Sequence, residues 1–333
     1  MKISVLGAGG WGTTLTILFH YNGHKVTLWA YKKNYAKALQ KSRYNNIYLP
    51  GIKIPNEIII THDLEEAITD KDLLVLAIPS QFLRNVIKKI NVKNIRNTIL
   101  VNVAKGIEKK TLMTMSQIIH DEFPSLDESQ VSVLSGPSHA EEVSRRIPTA
   151  VVSASKNRDT SRSVQAAFMN SYFRVYGSTD ILGVELGGAF KNVIAIGAGI
   201  IDGAKFGDNT KAAIMTRGVA EIARLGIALG AQPSTFAGLS GMGDLIVTCM
   251  SRHSRNRYVG EQIGAGKKLN EVLKSMNMIA EGVETSRSAS LLAKKHGVET
   301  PITDEVYQIL FEDKDPVKAT TDLMARNMKM EAD

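Results

Sequence analysis

Short apolar, β-rich runs alternate with helical patterns through the first 177 residues, and this alternation constrains the fold more than any other feature. It predicts a mostly parallel sheet with helices on both faces, because parallel strands need crossover connections. Eight strands are predicted, at residues 3–6, 25–29, 58–61, 73–77, 98–103, 131–135, 149–153 and 173–176.

The second half of the chain has a different pattern. Strand signals cease after Gly177, and from about Glu185 long helical patterns are separated by Gly, Pro and Asn clusters. A length of 333 residues suggests two domains. We predict an α/β domain with a doubly wound, mostly parallel sheet over 1–183 and an all-α domain over 184–333. Helices in the latter are predicted at 186–201, 210–229, 272–276, 285–295 and 305–311.

Composition excludes several classes of protein. Hydrophobic residues make up 44% and charged residues 22%, a balance that suits a packed core rather than disorder. The longest apolar stretch, 193–201, is shorter than the ~20 residues needed to cross a bilayer, and the N-terminus lacks a signal-peptide pattern. The single cysteine, Cys249, and the scattered histidines indicate neither a disulfide nor a metal site. We therefore expect a cytoplasmic protein without integral membrane association or bound metal.

The positive charge is concentrated at the N-terminus. The net charge is +8, and the first 56 residues contain no acidic residue. Their basic residues are Lys2, Lys25, Lys32, Lys33, Lys37, Lys41, Arg43 and Lys53. Aromatic residues are only 6%, which leaves no obvious stacking platform for nucleic-acid bases. This distribution favours a small phosphorylated ligand over nucleic acid.

A glycine-rich loop follows the first predicted strand directly. Residues 7–12 read Gly-Ala-Gly-Gly-Trp-Gly and lead into a helical pattern. In such a loop Gly7 permits a tight turn, Gly9 lets a pyrophosphate approach the backbone, and Gly12 lets helix pack on strand. The helix N-terminus then offers free N–H groups to the anion. This pattern in strand–turn–helix context predicts a dinucleotide site.

The residues after the second predicted strand bear on cofactor choice. An acidic residue about 20 positions after the loop would hold a ribose 2′-hydroxyl. Here the segment is Tyr31-Lys32-Lys33, which either accepts the 2′-phosphate of NADP or is a pair of solvated lysines. The spacing favours NADP(H), with NAD(H) possible.

Two loops at the predicted carboxyl edge of the sheet are further candidates. Ser138 and Glu141 have the spacing of a capping box at the start of a helix, placing another helix N-terminus where doubly wound sheets bind ligands. Lys105 follows a predicted strand. From spacing alone, either loop could be an ordinary turn with surface residues.

Lys191 carries the strongest single-residue argument. It is the only charged residue between Leu186 and Ile201. A buried ammonium costs several kcal/mol, so desolvation favours the neutral amine and suits proton exchange near neutral pH. The alternative is a solvent-facing lysine, but Gly187 and Gly188 favour close approach of a backbone or ligand.

Two polar segments lie further along the chain. Asp244 stands on a predicted glycine-rich turn, and residues 251–257 contain Arg252, Arg255 and Arg257 with interleaved polar residues. Arginine binds phosphate in two-point fashion, although such a charge run is more often a solvated face.

Taken together, these motifs resemble the bacterial NAD(P)-dependent glycerol-3-phosphate dehydrogenases. Seven further motifs add to the glycine loop at 7–13, in order along nearly the whole chain: residues 77–80, 104–108, 135–141, 185–192, 241–245, 254–256 and 281–285. The resemblance implies a Rossmann-type domain followed by an all-α domain, a homodimer, and reversible reduction of dihydroxyacetone phosphate to sn-glycerol 3-phosphate, a precursor of phospholipids.

The resemblance also implies roles for individual residues. Lys191 would be the proton donor and acceptor, with Asp244 and Lys105 as the other catalytic residues. The substrate would contact Lys105, Gly136, Ser138, Lys191, Asp244, Ser254, Arg255 and Asn256. The cofactor would contact Gly7, Gly9, Gly10, Trp11, Gly12, Tyr31, Lys32, Lys105, Ala140, Arg255, Ile279 and Glu281. One departure is Gly10, where many members have Ser.

Rival interpretations stay open at this point. A two-domain β-hydroxyacid-type dehydrogenase of the phosphogluconate or ketopantoate class would share the domains and a catalytic lysine. A noncatalytic NADP-sensing regulator would need only the glycine loop. The motifs at 136–141 and 254–256 favour the glycerol-3-phosphate reading.

The lysines at the specificity position lead to a prediction about the cofactor. We expect the protein to bind NADPH more tightly than NADH, because Lys32 and Lys33 each attract the additional 2′-phosphate of NADPH. The double variant Lys32→Ala/Lys33→Ala should reduce this difference in affinity. Dissociation constants for both cofactors, measured by fluorescence, test this. Equal use of both cofactors by the wild type, or full preference in the double variant, would contradict it.

Overall fold

The computed structural model describes residues 1–276, 278–328 and 330–331. The strands are β1 Lys2–Leu6, β2 Lys25–Trp29, β3 Tyr44–Asn45, β4 Leu49–Lys53, β5 Ile59–Thr61, β6 Leu73–Leu76, β7 Ile99–Asn102, β8 Val131–Ser135, β9 Thr149–Ala154 and β10 Phe173–Ser178. All eight predicted strands are confirmed. The short hairpin of β3 and β4 was not predicted.

Helices cover the sheet and form the whole second half. Those of the first half are α1 Gly10–Tyr21, α2 Lys33–Ser42, α3 Leu64–Ile68, α4 Leu83–Ile87, α5 Met115–Glu122, α6 Ala140–Val143 and α7 Arg158–Phe168. The second half contains α8 Ile181–Gly203, α9 Asp208–Ala228, α10 Pro233–Phe236, α11 Asp244–Met250, α12 Arg255–Gly264, α13 Leu269–Lys274, α14 Glu281–His296, α15 Pro301–Phe311 and α16 Pro316–Met324. Five of these overlap the predicted helices, while α10, α11, α12 and α16 were not predicted.

The eight-stranded sheet has the order β10-β9-β8-β7-β6-β1-β2-β5. Neighbouring strands are parallel except β8 and β9, which are antiparallel. The order reverses at β1, which pairs with β2 on one side and β6 on the other. A crevice at the carboxyl ends of these strands is where doubly wound sheets bind ligands. This confirms the predicted α/β sheet followed by a helical half.

The passage from sheet to helices is short. Strand β10 ends at Ser178 and α8 begins at Ile181. The Asp180 side chain caps α8 by accepting a bond from Gly183 N (2.9 Å) and also accepts one from Gln232 N (3.0 Å). The predicted division after residue 183 falls in the first turn of α8 and stays a prediction.

Helix α8 is the centre of the second half. It is long and apolar enough to cross a membrane by length and composition, but its apolar window is buried within the protein. It packs on α12 almost backbone to backbone, because a Cβ on Gly199 would overlap the carbonyl oxygen of Arg257 and one on Gly260 that of Ile196. This close crossing sets the position of the start of α12 relative to Lys191.

The close crossing leads to a stability prediction. Gly260→Ala should destabilise the protein by about 1–3 kcal/mol, because the added methyl forces α8 and α12 apart. Thermal unfolding should show a Tm lower by several degrees. An unchanged Tm would mean that the two helices separate without cost.

Candidate functional site

The glycine loop lies where β1 ends, at the reversal point of the sheet. Gly7 has a φ of +120°, and a Cβ there would overlap the carbonyl oxygen of Ala77. A Cβ on Gly12 would overlap the carbonyl oxygen of Gly7, whereas one on Gly9 would meet nothing within 4 Å. No side chain caps α1, so its N-terminus is available to an anion. The loop therefore fits a dinucleotide pyrophosphate at Gly9.

The hairpin of β3 and β4 covers one side of this loop. Asn45 Nδ2 donates to the carbonyl oxygen of Ala8 (3.0 Å) and to Thr13 Oγ1 (2.7 Å). A Cβ on Gly10 would lie 2.6 Å from the carbonyl oxygen of Tyr48. A side chain at position 10 would therefore require the hairpin to move away from the loop.

The predicted specificity position is open to solvent. Tyr31, Lys32 and Lys33 are exposed between β2 and the first turn of α2. The Tyr31 ring packs edge-on against Trp29, and Lys89 Nζ lies 5.4 Å from the Tyr31 ring centre. Neither Lys32 nor Lys33 pairs with an acidic group among the described residues. Both cations are thus available to a ligand.

The three predicted catalytic residues form one cluster. Asp244 Oδ1 accepts a bond from Lys191 Nζ (2.7 Å), and Asp244 Oδ2 accepts one from Lys105 Nζ (2.6 Å). Lys191 Nζ also donates to Thr248 Oγ1 (2.6 Å), and Lys105 Nζ to the carbonyl oxygen of Gly136 (2.9 Å). The cluster joins α8 and α11 of the helical half to the loop after β7.

The cluster is electrostatically unusual. Lys191 and Asp244 are buried, with 6% and 1% of their surface exposed. Burial lowers the pKa of Lys191 to about 8, and Lys105 adds to this, while Asp244 opposes it. Burial alone would raise the pKa of Asp244, but the two lysines hold it below its ordinary value. The ammonium at Lys191 can therefore lose a proton near neutral pH.

Cys249 follows Thr248 on α11 and is fully buried. Burial raises the pKa of its thiol to about 12, although Lys191 lowers it. The thiol is thus protonated at neutral pH.

The loop after β8 takes part, but not with the predicted cap. Gly136 has a φ of +142°, and its carbonyl oxygen accepts a bond from Ser138 Oγ (2.9 Å) as well as from Lys105. Helix α6 begins at Ala140 with His139 at its N-cap and no side-chain cap. The predicted capping box of Ser138 and Glu141 is therefore wrong, because the helix begins one residue later than the box requires, with His139 rather than Ser138 at the N-cap.

The residues predicted to bind the substrate phosphate lie at the start of α12. Ser254 Oγ caps this helix by accepting from Arg257 N (3.2 Å), and the exposed Arg255 donates to the carbonyl oxygen of Ile279 (3.0 Å). Asn256 Nδ2 donates to Asn192 Oδ1 (2.9 Å), and Asn256 Oδ1 accepts from Gly282 N (2.9 Å). Asn256 thus ties α12 to α8 and α14.

The three arginines of 251–257 have different environments. Arg257 Nε donates to Asp202 Oδ2 (2.7 Å), so its charge is already paired. Arg252 is exposed and forms no ion pair with any described residue. Of the three arginines, Arg255 is the one that lies beside the other predicted site residues.

The remaining predicted cofactor residues lie around the glycine loop and the start of α14. The Trp11 ring packs near Phe173, with ring centres 6.4 Å apart, and the Ala140 carbonyl accepts from Thr14 Oγ1 (3.2 Å). Glu281 accepts from Ser80 N (3.0 Å) and from the Ser80 hydroxyl. Burial raises the pKa of Glu281. The Ser80–Glu281 contact joins the loop after β6 to the helical half.

Thr248 and Ser80 were not assigned a role from the sequence. Thr248 follows Asp244 by four residues on α11, a spacing that places both on one helix face. This four-residue spacing is visible in the sequence, but it indicates a shared face only once α11 is known to be a helix. Among residues 1–276, 278–328 and 330–331, no three His, Cys, Asp or Glu side chains converge as metal ligands would.

Comparisons with known proteins agree on one family. The model of the NAD-dependent glycerol-3-phosphate dehydrogenase N-terminus matches residues 2–161, and that of its C-terminus matches residues 180–321. A curated relative from Thermoanaerobacter sp., named glycerol-3-phosphate dehydrogenase [NAD(P)+], is 54% identical over 331 residues, with 99% of each chain covered. One of the same name from Chlorobium phaeobacteroides is 52% identical, with 99% of each chain covered.

A solved structure agrees as well. The crystal structure of glycerol-3-phosphate dehydrogenase from Coxiella burnetii has a TM-score of 0.93 and 35% identity, covering 98% of this chain and 99% of that one. A putative 2-dehydropantoate 2-reductase from Enterococcus faecalis, of the rival class, has a TM-score of 0.52 and 14% identity, covering 96% and 99%, which shows a shared fold only.

The hairpin contact at Gly10 leads to a prediction. Gly10→Ser should weaken cofactor binding, because a Cβ 2.6 Å from the Tyr48 carbonyl oxygen pushes the hairpin off the loop. Fluorescence titration with NADPH measures the effect. A gain in affinity would show instead that the added hydroxyl binds phosphate while the hairpin adjusts freely.

Proposed function

The chain belongs to the NAD-dependent glycerol-3-phosphate dehydrogenase family and is an NAD(P)-dependent oxidoreductase; we propose that it interconverts dihydroxyacetone phosphate and sn-glycerol 3-phosphate through a proton held at Lys191. The observation that carries this mechanism is the buried ammonium of Lys191, held by Asp244 Oδ1 at 2.7 Å. Its pKa, lowered to about 8, lets the same group give and take a proton near neutral pH.

The nicotinamide cofactor, when bound at the glycine loop, supplies or accepts the hydride. The protein's own contribution is the proton. In the reducing direction an N–H bond of Lys191 breaks and an O–H bond forms at the former carbonyl oxygen of the substrate. In the oxidising direction the neutral amine of Lys191 removes that hydroxyl proton.

Asp244 and Lys105 prepare Lys191 for this step. Asp244 fixes Lys191 Nζ and Lys105 Nζ through its two carboxylate oxygens, so that both amines converge on one place. One carboxylate between two ammonium groups leaves the cluster with one positive charge in excess. That charge favours an anionic substrate and stabilises negative charge developing on the carbonyl oxygen.

The start of α12 is proposed to hold the substrate phosphate. Arg255 is exposed beside this site, and a guanidinium binds phosphate in two-point fashion. Asn256 is tied to Asn192, the residue next to Lys191, so phosphate and proton donor are linked through one short path. Phosphate binding energy can then orient the distant carbonyl.

We further propose a cytoplasmic homodimer without nucleic-acid partners that supplies the glycerol backbone of phospholipids. These proposals follow the family resemblance, and NADP(H) is the proposed preferred cofactor. Ser138, Gly136 and Ser254 are proposed as further substrate contacts on the strength of their position around Lys105 and Arg255.

Absorbance at 340 nm tests the proposed activity. NADPH consumption that depends on dihydroxyacetone phosphate, and is absent with ketopantoate, supports it. NADPH binding without turnover would point to a regulator, and turnover with ketopantoate alone to the rival dehydrogenase class.

Lys191→Met should abolish catalysis while preserving the fold. Met keeps an apolar stem, and Asp244 retains its bond to Lys105, so thermal unfolding and NADPH binding should be close to wild type. The turnover number should fall by ~10²–10⁴, the usual contribution of general acid–base catalysis. Lys274→Met, at an exposed lysine in α13, is the matched control and should leave turnover unchanged.

The pH profile provides a second measure of Lys191. The kcat/KM for reduction should fall as pH rises through about 8, where the ammonium is lost, and that for oxidation should rise there. Residual activity of the Met variant should lack this dependence. A folded variant within about tenfold of wild-type turnover would exclude Lys191 as the acid.

Arg255→Ala tests the phosphate site. The KM for dihydroxyacetone phosphate should rise strongly, and discrimination against dihydroxyacetone should shrink by roughly 10- to 100-fold, because a charge-assisted bond contributes ~1.5–3 kcal/mol. Steady-state kinetics on both substrates measure the ratio of specificity constants. Arg252→Ala, in the same segment, is the control. An unchanged ratio in the Arg255 variant would remove it from the substrate site.

A further inference from the structure

Three lysines near the glycine loop have no function in the chemistry described above. Lys37 and Lys41 lie one turn apart on α2, and Lys53 ends β4. All three are exposed, and none pairs with an acidic group among the described residues. We call these three solvated cations the basic rim.

The basic rim lies beside the cofactor site. Helix α2 starts at the carboxyl end of β2, whose Trp29 carbonyl accepts a bond from Gly7 N (3.0 Å). Lys53 faces Tyr44 in the hairpin, and the hairpin in turn packs on the glycine loop through Asn45. The rim therefore flanks the loop along two connected elements.

Nothing in this part of the chain neutralises the rim. The first acidic residue is Glu57, and its carboxylate lies 3.8 Å from His20. Exposed cations that no acidic group balances raise the positive potential of the surface around them. That potential attracts a polyanionic ligand approaching the loop.

We propose that the basic rim of Lys37, Lys41 and Lys53 steers the phosphorylated dinucleotide to the glycine loop, raising its rate of association without contacting it once bound. The inference rests on the proposed function, since it takes the cofactor as the ligand. Steering of this kind raises on-rates by about 10–10³-fold when a site is lined by one sign of charge. It falls with salt, because the screening length shrinks from ~8 Å at physiological ionic strength to ~3 Å at 1 M.

The test compares two variants with the same loss of charge. In the first, Lys37, Lys41 and Lys53 are changed to Gln. In the control, Lys25, Lys71 and Lys93 are changed to Gln; these lysines begin or precede β2, β6 and β7 at the opposite, amino edge of the sheet. Stopped-flow mixing with NADPH, followed by quenching of the fluorescence of the protein's two tryptophans, gives association and dissociation rates over a range of salt.

For the rim variant we expect association about three- to tenfold slower than wild type at low salt, and within about twofold at roughly 0.5 M salt. Dissociation should be unchanged, and the control variant should behave as wild type.

Other results would overturn the inference. Equal slowing in both variants would mean that only net charge matters. Faster dissociation in the rim variant would make the lysines direct contacts. Unchanged association would show that they do not steer. If the wild type bound no NADPH at all, the proposed function would fail first, and this inference with it.

Discussion

The shared carboxylate of Asp244 is the interaction on which the rest of the site depends. It lies on the helical half, yet it binds one lysine from α8 and another from the loop after β7 of the sheet. An unpaired buried charge is costly, so Lys191 requires Asp244, and Asp244 requires at least one of the two lysines. The cluster is therefore complete only when the sheet is docked on the helices: if the two halves separated, Lys105 would lose Asp244, whereas Lys191 and Asp244 would stay paired within the helical half.

Backbone proximity provides the precision that this cluster needs. The glycines that let α8 and α12 touch bring Asn192 to Asn256, and Gly10 lets the hairpin lie on the cofactor loop. A side chain added at any of these places would move the proposed site residues without altering any of them. The geometry of the polar groups thus depends on glycines that contribute no side-chain atoms of their own. Preorganised sites on rigid elements keep their geometry through such supporting contacts.

Much of this was predictable from local patterns. Buried parallel strands appear as β-branched runs, so all eight were found, and the burial of Lys191 followed from its isolation among apolar residues. The hairpin was missed because Pro50 and Gly51 interrupt β4. The start of α6 was misplaced because Ser138 and Glu141 have capping-box spacing, although the helix begins with His139 at its N-cap. Pairings between distant residues could not be predicted either, since nothing near Arg257 in the sequence indicates that its charge pairs with Asp202, 55 residues away. Spacing identifies candidates, whereas the fold decides which of them are free to act.

The burial of Cys249 has a consequence for the conditions in which this protein can work. Oxidants and alkylating agents attack the thiolate, and a thiol with a pKa near 12, closed off from solvent on α11, offers almost none of it at neutral pH. As the chain has no other cysteine, oxidative stress has no reactive sulfhydryl through which to modify the site, even though that sulfur adjoins Thr248 and the proton-carrying amine. The proton transfer proposed at Lys191 is thereby insulated from the thiol redox state of its surroundings.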